Sequence, residues 1–363
     1  MKKTLKNAKG ITLVALVITI IILLILATIS IQSLTNTGLF EKAKEAKEKT
    51  KNATENQAKT LNEYEDELNK YVSGTTQTQK LADKVKVGNY VTYTPDVLES
   101  NALETLKTNL NTYSGNSSST VNAAIKRDDL KWRVLDVQNG QVRLISEVPT
   151  TSKIELQGYN GYNNAVKLID DACSTLYTNT KLANKVQNLK IEDITKYMKT
   201  QPTEDTTPYS PTNKYYPEIL LKEKEQTVNE KAGTELGLSE QTKFINQTTK
   251  PQVSSWTLKK TYWSQTMNNT DSFKDSKYYE LFINNGSNYP TYWMSSRCVA
   301  ALSSNASFYV RRVDSGGVNA GSLYGSLAGE SSRGYAFRPV ITLNSNVKVT
   351  SGSGSSESPF NIQ

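Results

Sequence analysis

Residues 11–31 form a run of 21 uncharged, mainly apolar residues. At about 1.5 Å of rise per residue, a helix of this length spans roughly the 30 Å of a bilayer's hydrocarbon core. The polar residues within the run are threonine and serine, whose hydroxyls bond to carbonyls of the preceding helical turn. Four lysines precede the run, and this bias of basic residues places the N-terminus in the cytoplasm. The run predicts a single-pass transmembrane helix in the cell membrane, with the rest of the chain extracellular.

A glycine lies before the apolar run, at Gly10, whereas a secretory leader has a shorter apolar core followed by its cleavage site. The order Lys9, Gly10, Ile11 resembles the class III leader of type IV prepilins and pseudopilins. The resemblance implies that residues 1–10 are a leader, that a membrane peptidase cuts after Gly10, and that Ile11 is then N-methylated. The apolar segment would be kept as an anchor.

One position departs from the prepilin pattern, because Ala15 stands where the family usually carries glutamate. In that family the glutamate carboxylate pairs with the N-terminal amine of a neighbouring subunit during assembly. Cleavage needs the glycine and not the glutamate, so processing is still expected. Incorporation into a surface filament stays open, and so does the alternative that the segment is a simple uncleaved anchor.

Residues 32–72 carry a stripe of residues spaced by three and four, which predicts an amphipathic stem helix. The stripe begins with alanines and is too weak for an isolated coiled coil. We expect it to pack against a head domain or, as part of residues 11–71, against other pilin-like subunits; an exposed spacer helix is the alternative. Residues 73–84 are read as a linker. The stripe consists of Leu39, Ala43, Ala46, Thr50, Ala53, Gln57, Leu61, Tyr64, Leu68 and Tyr71.

The composition excludes several functional classes. The 363 residues include no histidine, which removes the commonest general base and metal ligand. The net charge of +8 owes half its value to the leader lysines, and no basic patch interleaved with aromatic residues suggests nucleic-acid binding. The two cysteines, Cys173 and Cys298, either form one disulfide or are two separate buried thiols. We expect no cofactor, no metal and no catalytic residues, so the protein is predicted not to be an enzyme.

Residues 85–363 are predicted to be an extracellular α+β head of helices and antiparallel strands. Residues 132–138 and 141–146 flank Asn139 and Gly140, which is the signature of a β-hairpin. Helices are predicted at residues 162–177 and 191–198, and residues 200–250 are read as a polar insertion. Residues 334–343 are read as a closing strand, with Pro339 at a sheet edge or a bulge.

Four short motifs resemble a family of uncharacterised Gram-positive surface domains: residues 132–136 (WRVLD), 161–165 (GYNNA), 292–293 (YW) and 337–340 (FRPV). The last motif is also similar to the closing strand of C-type-lectin-like and formylglycine-generating-enzyme-like domains. The resemblance implies a ligand surface near the tryptophan strand, where aromatic rings would stack on a sugar and arginines would bond to acidic groups. The alternative for each residue is a place in the core. The candidates are Trp263, Tyr292, Trp293, Tyr324, Arg311 and Arg333.

Together these features predict a pilin-like or pseudopilin-like surface protein whose lectin-like head serves adhesion or filament capping. The alternative is a permanently anchored surface receptor without a filament role. In either case the expected partner of the head is a glycan or a protein of a host or cell surface. The membrane is the expected partner of residues 11–31.

Overall fold

A computed structural model divides the chain into two compact units, Met1–Gln77 and Thr78–Gln363. In the first unit, the stem positions that are described are helical; the leader 1–10, the predicted membrane helix 11–31 and most of the stem lie outside the described residues. No helix among the described residues has both the length and the apolar character needed to cross a bilayer. The structure describes residues 46, 49–50, 53, 57, 79–200, 215–217, 241–245, 253–255, 265–266, 270–283, 290–301, 306–325 and 328–363.

The unit Thr78–Gln363, called the folded unit below, combines helices and strands. Its first half contains α1 (Leu81–Lys84), β1 (Tyr90–Thr92), α2 (Ser100–Tyr113), α3 (Thr120–Ala123), β2 (Trp132–Gln138), β3 (Gln141–Ser146), β4 (Lys153–Gln157), α4 (Gly158–Tyr177), β5 (Ala183–Asn188) and α5 (Ile191–Thr195). Then follow β6 (Tyr215–Pro217), β7 (Val253–Ser255), β8 (Gln265–Thr266), a 3₁₀ turn (Thr270–Ser272), α6 (Ser276–Phe282), β9 (Tyr292–Ala301), β10 (Ala306–Asp314), β11 (Gly317–Gly325), β12 (Gly329–Glu330), β13 (Ser332–Ala336), β14 (Pro339–Leu343), β15 (Val349–Ser351) and β16 (Phe360–Ile362).

Two larger sheets organise these strands. The first has the order β15-β16-β1-β2-β3-β14-β5, and the second has the order β12-β11-β10-β9-β13-β4, with β8 also pairing with β11. Neighbouring strands in both sheets are antiparallel, apart from the β1/β16 and β13/β9 pairs. The strands β6 and β7 pair separately. The predicted α+β class, with helices and mainly antiparallel sheets, is confirmed.

The β2/β3 hairpin forms at the predicted turn. Val137 faces Val142 across the pair, and the chain reverses at Asn139 (φ 51°) and Gly140 (φ 74°). Two consecutive left-handed residues give a tight turn whose twist matches that of the strands. The Asn-Gly pair therefore determines the register of this hairpin.

The predicted closing strand, residues 334–343, is two strands that belong to different sheets. It breaks after β13 at Phe337 and Arg338, whose backbone N–H groups donate to Thr150 Oγ1 (3.0 Å) and Asn188 Oδ1 (2.6 Å). Neither predicted alternative for Pro339 is observed, because β14 lies between β3 and β5, and the register shift of the β14/β5 pair falls between Thr342 and Leu343. Pro339 is instead the first residue of its strand, a position where the missing N–H is tolerated.

The central strands β2, β3 and β14 of the first sheet are largely buried on both faces. One hydrophobic cluster contains Trp132 and Val134 of β2 together with much of α4, and the second contains Leu135 of β2 with residues of α5 and α6. Successive side chains of a strand point to opposite faces, so β2 contributes to both clusters. Strands covered on both sides read as continuous apolar runs and not as alternating patterns.

The start of the folded unit lies within the range read as linker. Leu81 of α1 is buried, and its N–H donates to the Val347 carbonyl (2.9 Å). The neighbouring Lys80 pairs with Lys348. Residues 80–84 thus belong to the packed domain, because the Leu81 side chain lies in the core and its backbone is hydrogen-bonded to the segment just before β15.

The chain before the predicted polar insertion lies beside the chain that precedes α6: residues 198–199 contact residues 272–273. The predicted helix 191–198 is shorter than expected: α5 ends at Thr195, and Met198 pairs with Phe273. Beside that pair, Lys199 N donates to the Ser272 carbonyl (3.0 Å). The stretch between residues 199 and 272 therefore begins and ends at adjacent points, and within it β8 pairs with β11.

Candidate functional site

The residues expected to bind a ligand through aromatic stacking belong largely to the core. Tyr292 and Trp293 of β9 are both 0% exposed, and each uses its polar tip inside the domain. Tyr292 donates from its hydroxyl to the Phe282 carbonyl (2.6 Å), and Trp293 Nε1 donates to the Ile154 carbonyl (2.8 Å). The interpretation of these two side chains as a sugar platform is corrected. Their strand lies inside the second sheet and is covered on both faces.

The other candidates do not form one surface either. Tyr324 packs its ring edge against Tyr159 at 5.9 Å between centroids, and Tyr324 and Arg311 are each only 3% exposed. Arg333 alone among the described candidates is exposed, and its guanidinium donates to the carbonyl of the adjacent Ser332 (2.8 Å). Trp263 lies outside the described residues. Burial leaves Tyr324 and Arg311 without the open face that a ligand needs.

The two cysteines are free, buried thiols, which is the second of the two alternatives left open by the sequence. Burial raises the pKa of Cys173 well above its ordinary value. It also raises the pKa of Cys298 to about 11, although the charge of Arg311 works in the opposite direction. Since the thiolate is the reactive form, neither side chain is suited to nucleophilic chemistry.

A surface pocket of about 320 Å³ opens between the β1–α2 connection and the segment that precedes β2. Its volume is at the lower end for small-molecule sites, so it suits a ligand of monosaccharide or dipeptide size. We call it the Tyr93 pocket. Its lining residues are Tyr93, Thr94, Pro95, Arg127, Asp128, Asp129, Leu130, Trp132 and Tyr177.

Three aromatic rings build the floor of the Tyr93 pocket. Tyr93 meets Trp132 edge-on at 5.3 Å, and Trp132 meets Tyr177 edge-on at 5.7 Å. The Tyr93 hydroxyl donates to the Tyr177 carbonyl (2.8 Å), and the Asp128 N–H donates to the Tyr177 hydroxyl (3.2 Å). Burial raises the pKa of both phenols, so they stay neutral at physiological pH. The floor is rigid and uncharged.

Charged side chains form the rim of the pocket. Arg127 Nη1 donates to the Asp96 carbonyl (2.7 Å), while its buried Nε has no hydrogen-bond partner among the described residues. Burial lowers the pKa of Arg127, although the group stays cationic. The Asp128 carboxylate is used internally, because it accepts from the N–H and hydroxyl of Thr151 (2.6 and 2.5 Å). Asp129 is exposed.

This arrangement favours binding over catalysis. The partly exposed Arg127 guanidinium at the rim suits a carboxylate or phosphate, whereas the three rings of the floor are 4% exposed or less and shape the pocket without offering an open face for stacking. The sequence signal for this site is the charged triplet 127–129, which comes shortly before Trp132. No site was predicted at this triplet, so the pocket was missed.

A second polar cluster fastens α5 to the β2/β3 hairpin. Arg143 donates from Nε and Nη2 to the two carboxylate oxygens of Asp136 (2.7 Å each) and from Nη1 to Asp193 (2.5 Å). The Tyr197 hydroxyl also donates to Asp136. Burial by itself would raise the pKa of Asp136, but the hydrogen bonds and charge of Arg143 outweigh it and hold that pKa below its usual range. The cluster joins two elements and has no open position for a substrate.

The described residues hold no group of three or more acidic or cysteine side chains placed to bind a metal ion. The folded unit is thus an α+β domain with a small polar pocket on a rigid aromatic floor. Comparisons with protein-family models, with curated proteins and with solved structures found no match.

Proposed function

We propose that this chain is an exported, membrane-anchored surface protein of the pilin-like or pseudopilin-like kind, whose head binds a ligand for adhesion or filament capping. The observation that carries the proposal is the sequence Lys9, Gly10, Ile11 at the start of a 21-residue uncharged run. A segment of this length and composition is stable as a helix in a bilayer. The glycine before it is the residue at which prepilin leaders are cut.

The folded unit supports the binding part of the proposal. Both hydrophobic clusters of the described residues lie within Thr78–Gln363, as expected of a head presented at the end of a stem. The Tyr93 pocket offers Arg127 over an aromatic floor, which suits an acidic sugar or the carboxylate of a peptide. The lectin-like character of the head rests on the motif at residues 337–340.

The second candidate is a permanently anchored receptor without a filament role. Ala15 favours it, because an alanine cannot supply the carboxylate that pairs with a neighbouring N-terminus. The two candidates share the membrane segment and the binding head. They differ in whether the leader is removed.

N-terminal sequencing and intact mass of the membrane-extracted protein test the proposal. The mature chain should begin with N-methylated Ile11, and Gly10→Leu should keep the leader and add the mass of residues 1–10. Asn7→Ala, inside the leader and away from the cut, is the matched control and should be processed normally. A wild-type chain that still begins at Met1 would overturn the pilin-like proposal and leave the anchored receptor.

Binding at the Tyr93 pocket is tested separately on the full chain in detergent. A panel of acidic and neutral sugars and of short peptides is titrated against the wild type and Arg127→Gln. A ligand of the proposed site should lose about tenfold or more in affinity when the cation is removed. Lys131→Gln, at an exposed position just beyond the pocket lining, should not change it. Equal binding to all three proteins would exclude the pocket.

A further inference from the structure

Two opposite charges at the rim of the Tyr93 pocket are available to a ligand. Arg127 and Asp129 both line the pocket, and they do not form an ion pair with each other. Arg127 uses Nη1 for the Asp96 carbonyl at 2.7 Å, and its Nη2 has no partner within the described part of the chain. The exposed Asp129 carboxylate likewise has no hydrogen bond or ion pair among the described residues. Both charges can therefore form bonds with a bound molecule.

The other carboxylates near the rim are already bonded within the protein. Asp128 accepts from the N–H and the hydroxyl of Thr151 at 2.6 and 2.5 Å. Asp96 accepts from the N–H and the hydroxyl of Thr180 at 2.7 and 2.8 Å. These bonds fix both carboxylates in place, but they do not remove the negative charge. Asp129 is thus the lining carboxylate that is left to accept from a ligand.

The balance of charge around the pocket disfavours a simple anion. The lining contains one guanidinium and two carboxylates, those of Asp128 and Asp129, and the charge of Asp96 also acts on Arg127. Charges of the same sign that are a few Å apart repel, most strongly where little salt screens them. An acidic sugar would bond to Arg127 but would also meet this repulsion. A ligand with an ammonium as well as a carboxylate adds a bond to Asp129 and offsets the repulsion.

The spacing of the two free charges suits the two ends of a dipeptide. The Cα atoms of Arg127 and Asp129 are two residues apart in the chain and hence separated by at most roughly 7 Å. A dipeptide is also two residues long, so its ammonium and its carboxylate lie at a similar separation. The pocket volume of about 320 Å³ is enough for a molecule of this size. One dipeptide can therefore contact both charges.

The apolar part of the lining that a ligand can contact is aliphatic. Pro95 and Leu130 are half-buried, whereas the rings of Tyr93, Trp132 and Tyr177 are 4% exposed or less. A ligand side chain would therefore lie against Pro95 and Leu130 and would not stack on a ring. Short aliphatic side chains gain from such a contact, because it removes their methyl groups from water.

We infer that the Tyr93 pocket binds a zwitterionic dipeptide with short aliphatic side chains, whose carboxylate bonds to Arg127 and whose ammonium bonds to Asp129. The inference rests on the binding role proposed for the head, and it narrows the ligand from an acidic sugar or a peptide to one class of molecule. It also makes Asp129 a specificity-determining residue, because Asp129 distinguishes a free ammonium from a blocked one.

Titration calorimetry of the full chain in detergent at low ionic strength tests the inference. The probes are alanyl-alanine, its N-acetyl form, its C-terminal amide and glucuronic acid. The wild type should bind alanyl-alanine about fivefold tighter than the N-acetyl form, which lacks the exposed charge pair with Asp129. It should bind alanyl-alanine about tenfold tighter than the amide, which lacks the charge-assisted bond to Arg127. Glucuronic acid should bind more weakly than alanyl-alanine.

Three variants assign these differences to single residues. Asp129→Asn should bind alanyl-alanine about fivefold more weakly than the wild type and should no longer distinguish it from the N-acetyl form. Arg127→Gln should no longer distinguish alanyl-alanine from the amide. Asp83→Asn removes an exposed carboxylate of α1 outside the pocket lining, so it is the matched control and should bind as the wild type does.

The possible failures of the inference are distinguishable. Glucuronic acid bound as tightly as alanyl-alanine, with a loss in Arg127→Gln alone, would overturn the dipeptide and leave an acidic ligand at the pocket. Equal binding of alanyl-alanine to all four proteins would also overturn it, because the ligand would then lie elsewhere. Binding of no probe would overturn both the inference and the binding proposed for the pocket. The Gly10 experiment is independent of all three results.

Discussion

Replacing Arg338 should destabilise the folded unit more than any change to an exposed arginine. Arg338 is 0% exposed, and its guanidinium donates to the carbonyls of Ser146 (3.0 and 3.1 Å), Glu147 (3.0 Å) and Phe282 (3.3 Å). These carbonyls belong to the end of β3, the residue after it and the end of α6. One side chain thereby joins the first sheet to the α6 layer.

The magnitude follows from the groups that Arg338→Met would leave behind. The Phe282 carbonyl keeps the Tyr292 hydroxyl as a donor, but the carbonyls of Ser146 and Glu147 lose hydrogen bonds to a charged group, each worth about 1.5 kcal/mol or more. Removal of a buried cation returns part of this, because its desolvation is no longer needed. We expect a loss of about 3 kcal/mol in the free energy of unfolding. Arg338→Lys should lose about 2 kcal/mol, since an ammonium cannot fork between the same acceptors.

Urea unfolding of the full chain in detergent, followed by tryptophan fluorescence, measures these losses. Trp132 and Trp293 are buried, so their emission reports on the core. Arg333→Met is the matched control, because this exposed guanidinium should contribute less than about 0.5 kcal/mol. An Arg338→Met protein within about 1 kcal/mol of the wild type, or a control as destabilised as Arg338→Met, would refute the reasoning.

Three further outcomes are expected. Asp136→Asn should lower the free energy of unfolding by about 3 kcal/mol, because it leaves Arg143 partly unpaired. Since the pKa of Asp136 is lowered in the folded state, its contribution to stability should be present above pH 4 and be lost as the pH falls through that lower pKa. Urea midpoints measured from pH 2 to 7 check this. Replacing residues 218–240, which include no aromatic residue, by a short Gly/Ser linker should keep the native near-UV circular dichroism, and its loss would show that this segment supports the core. Cys173 and Cys298 should resist iodoacetamide until the chain is unfolded, as mass spectrometry would show, whereas labelling of the native protein would contradict their burial.

Local signals in the sequence were enough to predict those elements that have a strong turn or helix pattern. The Asn139-Gly140 pair gave the hairpin in its observed register, and the predicted helix 162–177 is the C-terminal part of α4. In contrast, α2 buries only Leu106 and Leu110 fully, so its apolar stripe is too sparse to stand out. The order of the strands depends on pairings between distant residues, which no local pattern contains.

The candidate site was harder to predict for a related reason. Aromatic residues suit both a core and a ligand surface, and the choice depends on what covers the strand. Trp293 is covered by Tyr335 at 4.5 Å between centroids, and the rings of the Tyr93 pocket are themselves 4% exposed or less, so that only the rim of that pocket is accessible. Whether a face of a strand is covered depends on elements that are distant in the sequence. The sequence could therefore indicate aromatic residues, but not that they would be buried and that a charged rim would lie above three of them.

The short motifs behind the resemblance to surface domains have a shared physical role in this structure. Arg133 reaches Glu280 of α6 at 3.0 Å, Asn164 clamps Ile245, and Arg338 bonds to carbonyls of separate elements. Three of the four motifs thus contribute a polar side chain that fastens elements distant in sequence, a task that tolerates few replacements because partly bonded buried groups are costly. The Tyr93 pocket is lined instead largely by connecting segments, which tolerate change. Motifs of this kind therefore identify the scaffold, and the ligand has to be sought in the segments between them.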